Sequence, residues 1–134
     1  MVDESFGTRG GALADFFTGS SSASAFALAI DSHGNLVAAG RATQGSSPSE
    51  LAVARFTSLG VLDSAFGTGG VLTTSFGQTD SAAALAIQAD GKIVAAGNSL
   101  HVDAGNDEFA VARYTSQPRS SNRIRRAARF WRLA

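Results

Sequence analysis

His33 and His101 are the only histidines in the chain, and it contains no cysteine. These facts bound the chemistry. A thiolate nucleophile, a thiolate metal site and a disulfide are excluded. A serine nucleophile would need an imidazole held by a carboxylate, and no nucleophile motif surrounds either histidine. Asp103, Asn106, Asp107 and Glu108 offer oxygen donors to a calcium ion. Their spacing does not fit an EF-hand loop, so the expectation is a solvated loop. Gly67-Thr68-Gly69-Gly70 has the composition of a phosphate cradle. Such a cradle opens a helix, whereas Val71-Leu72-Thr73-Thr74 follows here, so the run reads as a tight turn. Arg55 and Arg113 each stand in an otherwise apolar run, and Asp3 and Asp63 also recur. An arginine so placed packs its stem and pairs its head, which predicts a structural ion pair, with ligand binding as the alternative. No catalytic, cofactor-binding or metal-binding residue is assigned, and no enzymatic activity or cofactor is expected.

The elements that carry these residues occur twice. Phe6-Gly7-Thr8 returns as Phe66-Gly67-Thr68, 60 residues later. Ala29-Ile30-Asp31-Ser32-His33-Gly34-Asn35-Leu36-Val37-Ala38-Ala39-Gly40 returns at an offset of 57 as Ala86-Ile87-Gln88-Ala89-Asp90-Gly91-Lys92-Ile93-Val94-Ala95-Ala96-Gly97. Ala52-Val53-Ala54-Arg55-Phe56-Thr57-Ser58 returns at an offset of 58 as Ala110-Val111-Ala112-Arg113-Tyr114-Thr115-Ser116. A fixed period of this length marks a repeat architecture. His33 becomes Asp90 in the second copy, so no histidine metal site repeats with the unit.

Each unit reads as short strands divided by glycine-containing turns. The first sheet is predicted over residues 25–31, 36–41, 51–57 and 71–76. The second is predicted over 83–88, 93–98 and 109–115, with its fourth strand missing. Residues 12–17 are of the same type as 71–76 and are predicted as a leftover N-terminal strand. Hairpin turns are expected at 32–34 and 89–91. Small alanines alternate with larger apolar residues, which suits a sheet packed on both faces.

Charge is divided along the chain. All 11 acidic residues lie in residues 1–117, whereas residues 118–134 hold six of the 11 basic residues, all arginine. Ile124, Ala127, Ala128 and Trp131 in that tail fall at helical spacing. The preferred reading of the tail is an out-of-frame or truncated continuation, because it breaks the repeat. The alternatives are a fused segment and a selected basic helix. Met1-Val2-Asp3-Glu4 opens acidic, with no signal peptide expected, and no apolar run reaches transmembrane length.

The runs Leu62-Asp63-Ser64-Ala65-Phe66-Gly67-Thr68-Gly69-Gly70-Val71, Gln88-Ala89-Asp90-Gly91-Lys92-Ile93-Val94-Ala95-Ala96-Gly97 and Phe109-Ala110-Val111-Ala112-Arg113-Tyr114 resemble the bacterial delta-60 repeat. The resemblance covers residues 3–116. It implies a β-propeller-like repeat of uncharacterised function, usually present in many copies in large and often exported proteins, with no enzymatic activity. The expected fold is all-β: two four-stranded propeller-blade-like repeats forming a partial β-propeller, with a short basic C-terminal tail that is helical or disordered. The organisation is a first repeat at 1–60, including the leftover strand, a second at 61–117, and the tail at 118–134. The expected role is structural or a protein-interaction surface, with further blades or self-association as partner. The alternatives are a module binding anionic membrane or nucleic acid through residues 119–132, and a carbohydrate- or calcium-binding surface.

Overall fold

A computed structural model describes residues 1–101 and 105–118 of the chain. Its strands are β1 (Ser21–Ile30), β2 (Leu36–Gln44), β3 (Glu50–Phe56), β4 (Val71–Thr74), β5 (Thr79–Ile87), β6 (Ile93–His101) and β7 (Asn106–Tyr114). They form two antiparallel meanders, β1-β2-β3-β4 and β5-β6-β7, and there is no helix among the described residues. The architecture is all-β, with two open sheets that pack as consecutive propeller blades.

The two tight hairpins form where glycine permits them. Gly34 and Gly91 adopt φ of 81° and 86°, a region that side chains disfavour. Asp31 Oδ1 accepts from the amides of His33 and Asn35, which closes the first turn. Asp90 Oδ1 accepts from the Lys92 amide in the second. The repeat extends to irregularities. The β1–β2 register shifts between Ala25 and Ala27, and the β5–β6 register shifts between Ala82 and Ala84. Beside these bulges lie Gly40 and Gly97. A Cβ on either would stand 1.9 Å from a backbone oxygen, that of Ser24 or Ser81.

The core lies between the sheets. Strand β5 packs across β1, β2 and β3. Val37, Ala39, Leu51, Val53 and Leu72 of the first sheet meet Ile93, Ala95, Ala112 and Tyr114 of the second, with Leu85 and Ile87 at the margin. Phe66, from the loop before β4, is fully buried in the same cluster. These are alternate residues of their strands, so one face of each sheet is consumed by the other.

Residues 12–17 do not form the expected leftover strand. A strand needs a neighbour to take its amides and carbonyls. Strand β4 finds one in β3. No third strand precedes residues 12–17 within the described fold. The predicted tail helix and the loop residue Asp103 lie outside the described residues.

Candidate functional site

Two features join the blades, and a third faces outward. The first is built on Arg55 of β3. Its Nε lies 2.8 Å from Asp63 Oδ2, and its Nη1 donates to the Ser116 carbonyl that follows β7. Its guanidinium carbon sits 4.9 Å from the centroid of the Phe66 ring. The backbone secures the same place: Arg55 N donates to Gly70 O, and Asp63 N donates to Arg55 O. Both charged side chains are largely buried, where a bidentate-capable guanidinium is the suitable cation. The structural ion pair expected of Arg55 is thus formed, and it ties the first sheet, its connector and the second sheet together, whereas Arg113, of which the same was expected, is exposed and makes no ion pair among the described residues.

The second feature surrounds Asp80 at the start of β5. Asp80 is fully buried. Its amide donates to Ser49 O, Ser49 Oγ donates to Asp80 O, and its Oδ2 accepts from the Phe76 amide. Burial raises its pKa, and the nearby Glu50 carboxylate adds to the rise. The Ser99 hydroxyl, the Phe76 amide and His101 act in the opposite direction without cancelling it. Ser99 stands opposite Asp80 in the β5–β6 register, and His101 Nδ1 lies 4.0 Å from Glu108 Oε2. A serine, a histidine and an aspartate therefore meet here. Catalysis needs more: a nucleophile reachable by substrate and a base in contact with it. Ser99 and Asp80 are both sealed from solvent. Their position is that of a polar blade junction.

Beside this junction, Ser22, Ser24, Arg41, Thr43, Ser49 and Thr79 line an open polar depression of about 300 Å³. Hydroxyls and one guanidinium can hydrogen-bond a small polar solute there. No apolar or aromatic floor accompanies them in the lining, which also contains Ala23, Ser47 and Pro48.

The third feature is a pair of outward faces. By the repeat offset of 58, Leu51 and Val53 correspond to Phe109 and Val111. Leu51 and Val53 are 0% exposed, whereas Phe109 and Val111 are 98% and 53% exposed. By the offset of 57, Leu28 and Ile30 correspond to Leu85 and Ile87. Leu28 and Ile30 are 61% and 64% exposed, whereas Leu85 and Ile87 pack against the core. Each face used inside the molecule therefore has an apolar counterpart left in solvent. Exposed apolar patches of this kind mark interaction surfaces.

The remaining candidates occupy plainer settings. His33 lies in the first hairpin turn, and Gly67, Gly69 and Gly70 adopt positive φ in a turn before β4, as the tight-turn reading expects. Among the described residues no three His, Asp or Glu side chains converge as metal ligands. Residues 119–132 lie outside the described residues. Asp80, Ser99, Thr74 and Tyr114 escaped sequence reasoning. One signal for Asp80 and Ser99 was available: the pair Asp80–Ser99 replaces the paired Ala23 and Ala42 of the first copy.

Residues 34–66 and 88–117 match a family described as a β-propeller domain of unknown function (DUF5122). The two matching segments span the equivalent turn, second strand and third strand of each copy. No curated protein and no solved structure matches the chain.

Proposed function

We propose that this β-propeller-like chain is a non-catalytic structural module that presents the outward faces of its two sheets to further blade-like units. The observation that carries this reading is the pairing of buried Leu51 and Val53 with exposed Phe109 and Val111. A face already able to bury a neighbouring sheet is repeated in solvent. Its burial would remove apolar area worth roughly 25 cal/mol per Å² from water. The three recurring sequence blocks support assignment to the bacterial delta-60 type of repeat, whose tandem copies suit this role.

The test is to replace Phe109 and Val111 together by lysine. Both side chains are exposed, so the fold should persist, as followed by far-ultraviolet circular dichroism. The unaltered chain should show concentration-dependent mass by light scattering at micromolar concentration, and the double variant should not. A compact, concentration-independent monomer for the unaltered chain would overturn the reading.

A further inference from the structure

We propose that copies of this chain associate head to tail, with residues 3–17 of one copy completing the β5-β6-β7 sheet of the next and Asp3 pairing with Arg113. This rests on the reading that the outward faces are interaction surfaces, and it names their occupant.

The segment at residues 3–11 is already folded as the connector at residues 63–71. Ser5 N donates to Asp3 Oδ1 at 3.0 Å, as Ala65 N donates to Asp63 Oδ1 at 3.0 Å. Phe6 N donates to Asp3 O, as Phe66 N donates to Asp63 O. Thr8 N donates to Gly11 O, as Thr68 N donates to Val71 O. Gly7 and Gly67 share φ of 57° and 54°, and a Cβ on either would strike the Gly11 or Val71 carbonyl oxygen. Arg9, at φ 54°, is the one non-glycine residue with positive φ among the described residues, and it stands where Gly69 stands. The loop keeps its shape against a residue that disfavours it.

Its placement against the following blade also repeats. Gly7 N donates to Leu59 O, after β3, and Gly67 N donates to Pro118 O, after β7 and one residue beyond the 58-residue counterpart of Leu59. Residues 3–11 therefore sit on the first blade as residues 63–71 sit on the second. What they lack is the sheet behind them. Residues 63–71 have Arg55 there, and β4 continues from them alongside β3, with Val53 opposite Leu72 and Leu51 opposite Thr74. Among the described residues, 3–11 have no such strand beside them, and Asp3 is exposed.

The missing sheet has the form of β7 in another copy. Arg113 there is exposed, and β7 has β6 as its only strand neighbour among the described residues. Transferring the internal contacts by their repeat offsets gives every partner. Arg113 takes Asp3, the Ser58 carbonyl and the Phe6 ring of the second copy, as Arg55 takes Asp63, the Ser116 carbonyl and Phe66. Ala12 comes opposite Val111, and Ala14 opposite Phe109. Leu28 and Ile30 of the second copy then cover the exposed face of the first copy, as Leu85 and Ile87 cover the inner one. The added strand supplies main-chain hydrogen bonds by β-augmentation, and the charge pair fixes register. The contact joins two different surfaces, so each copy retains one of each for the next.

The cysteine-free chain permits a direct test. Val111→Cys and Ala12→Cys are prepared as separate full-length chains, mixed at micromolar concentration and treated with a short bis-maleimide. The mixture should give a crosslinked heterodimer at least tenfold above either variant alone. Arg113→Asp in the Val111→Cys chain should reduce that yield about tenfold, and Asp3→Arg in its partner should restore it. Arg113 is exposed, so circular dichroism should show an unchanged fold for Arg113→Asp; because Asp3→Arg also removes the acceptor of the Ser5 amide, its yield with the unaltered Arg113 chain is the control and should be low. Yield no higher than in the single-variant controls would overturn the proposal. So would indifference to Arg113→Asp, or efficient crosslinking within one chain carrying both cysteines at nanomolar concentration. Light scattering separates the two levels. Association that survives without the 12–111 crosslink, and is lost in the Phe109→Lys, Val111→Lys variant, defeats the head-to-tail contact while leaving the interaction-surface reading standing.

Discussion

Thr74 Oγ1 and Tyr114 Oη share a buried 2.6 Å hydrogen bond that crosses from β4 of the first sheet to β7 of the second. Burial pushes the Tyr114 phenol up to about 12, with the Thr74 bond opposing the shift, so the hydroxyl keeps its proton across the ordinary pH range. Tyr114→Phe should leave the Thr74 hydroxyl buried without its partner, at a cost of about 1–3 kcal/mol. Thr74→Val combined with Tyr114→Phe removes both polar groups and should cost less than the sum of the single changes. Urea unfolding of the four proteins provides the check. Strict additivity would mean that the two hydroxyls do not depend on each other.

Gly40 and Gly97 should be the least replaceable glycines within the strands. Neither is confined by a positive φ; both are confined by a backbone oxygen at 1.9 Å from the missing Cβ. Alanine at either site must separate β1 from β2 or β5 from β6 beside a bulge. Overpacking of this kind costs about 1–3 kcal/mol, and the two variants should lose similar stability because the surroundings repeat. Gly45→Ala is the comparison: no atom lies within 4 Å, but φ is 57°, so its smaller loss should come from backbone strain alone. Thermal melts of the three variants distinguish these cases.

Much of this was readable in the residues, for identifiable reasons. The turns around Gly34 and Gly91 and the apolar alternation that follows them determine all seven strands to within a few residues. Arg55 was legible as an ion-pair partner because it recurs in an apolar strand, whereas its pairing with Asp63 is shown by the fold alone. Residues 12–17 misled because strand type is a local property, whereas strand formation needs an edge to join. The Thr74–Tyr114 and Asp80–Ser49 contacts were hidden because they join elements distant in sequence. Which sheet face is buried also stayed hidden: Val53 and Val111 have the same local pattern and opposite exposure.

Asp80 should make stability depend on pH. Its folded pKa is raised, chiefly by burial, so the folded state holds the proton more tightly than the unfolded chain does. The contribution is therefore fully present below the ordinary aspartate range and is lost as pH rises through the raised value. Asp80→Asn carries no charge and keeps an oxygen for the Phe76 amide. Its added amide faces Ser99, which is opposite in register. The variant should be at least as stable as the parent at neutral pH and should lose this part of the pH dependence. Denaturant midpoints at pH 4, 5.5 and 7 would show it. A parent whose stability rises through that interval in proportion with the variant's would contradict the assignment.

Arg55 and Arg113 share a sequence setting and should differ in consequence. Arg55 holds Asp63, the Ser116 carbonyl and the Phe66 ring in a largely buried site. Arg55→Met leaves Asp63 without its cation, and breaking a buried pair from one side costs about 3–5 kcal/mol. Arg113 is exposed and shows none of these contacts among the described residues. Arg113→Met should shift the stability of the isolated chain by no more than about 0.5 kcal/mol, as for an ordinary surface substitution. The comparison belongs at nanomolar concentration, where any association between copies is dissolved, with unfolding followed by the fluorescence of the buried Tyr114. At micromolar concentration the difference should narrow. Arg113→Met should then lower the apparent stability, because a contact that only the folded copies make adds to stability by mass action. Equal losses for both arginines at nanomolar concentration would mean that Arg113 already has partners inside its own chain. Its likeness to Arg55 would then be structural as well as sequential.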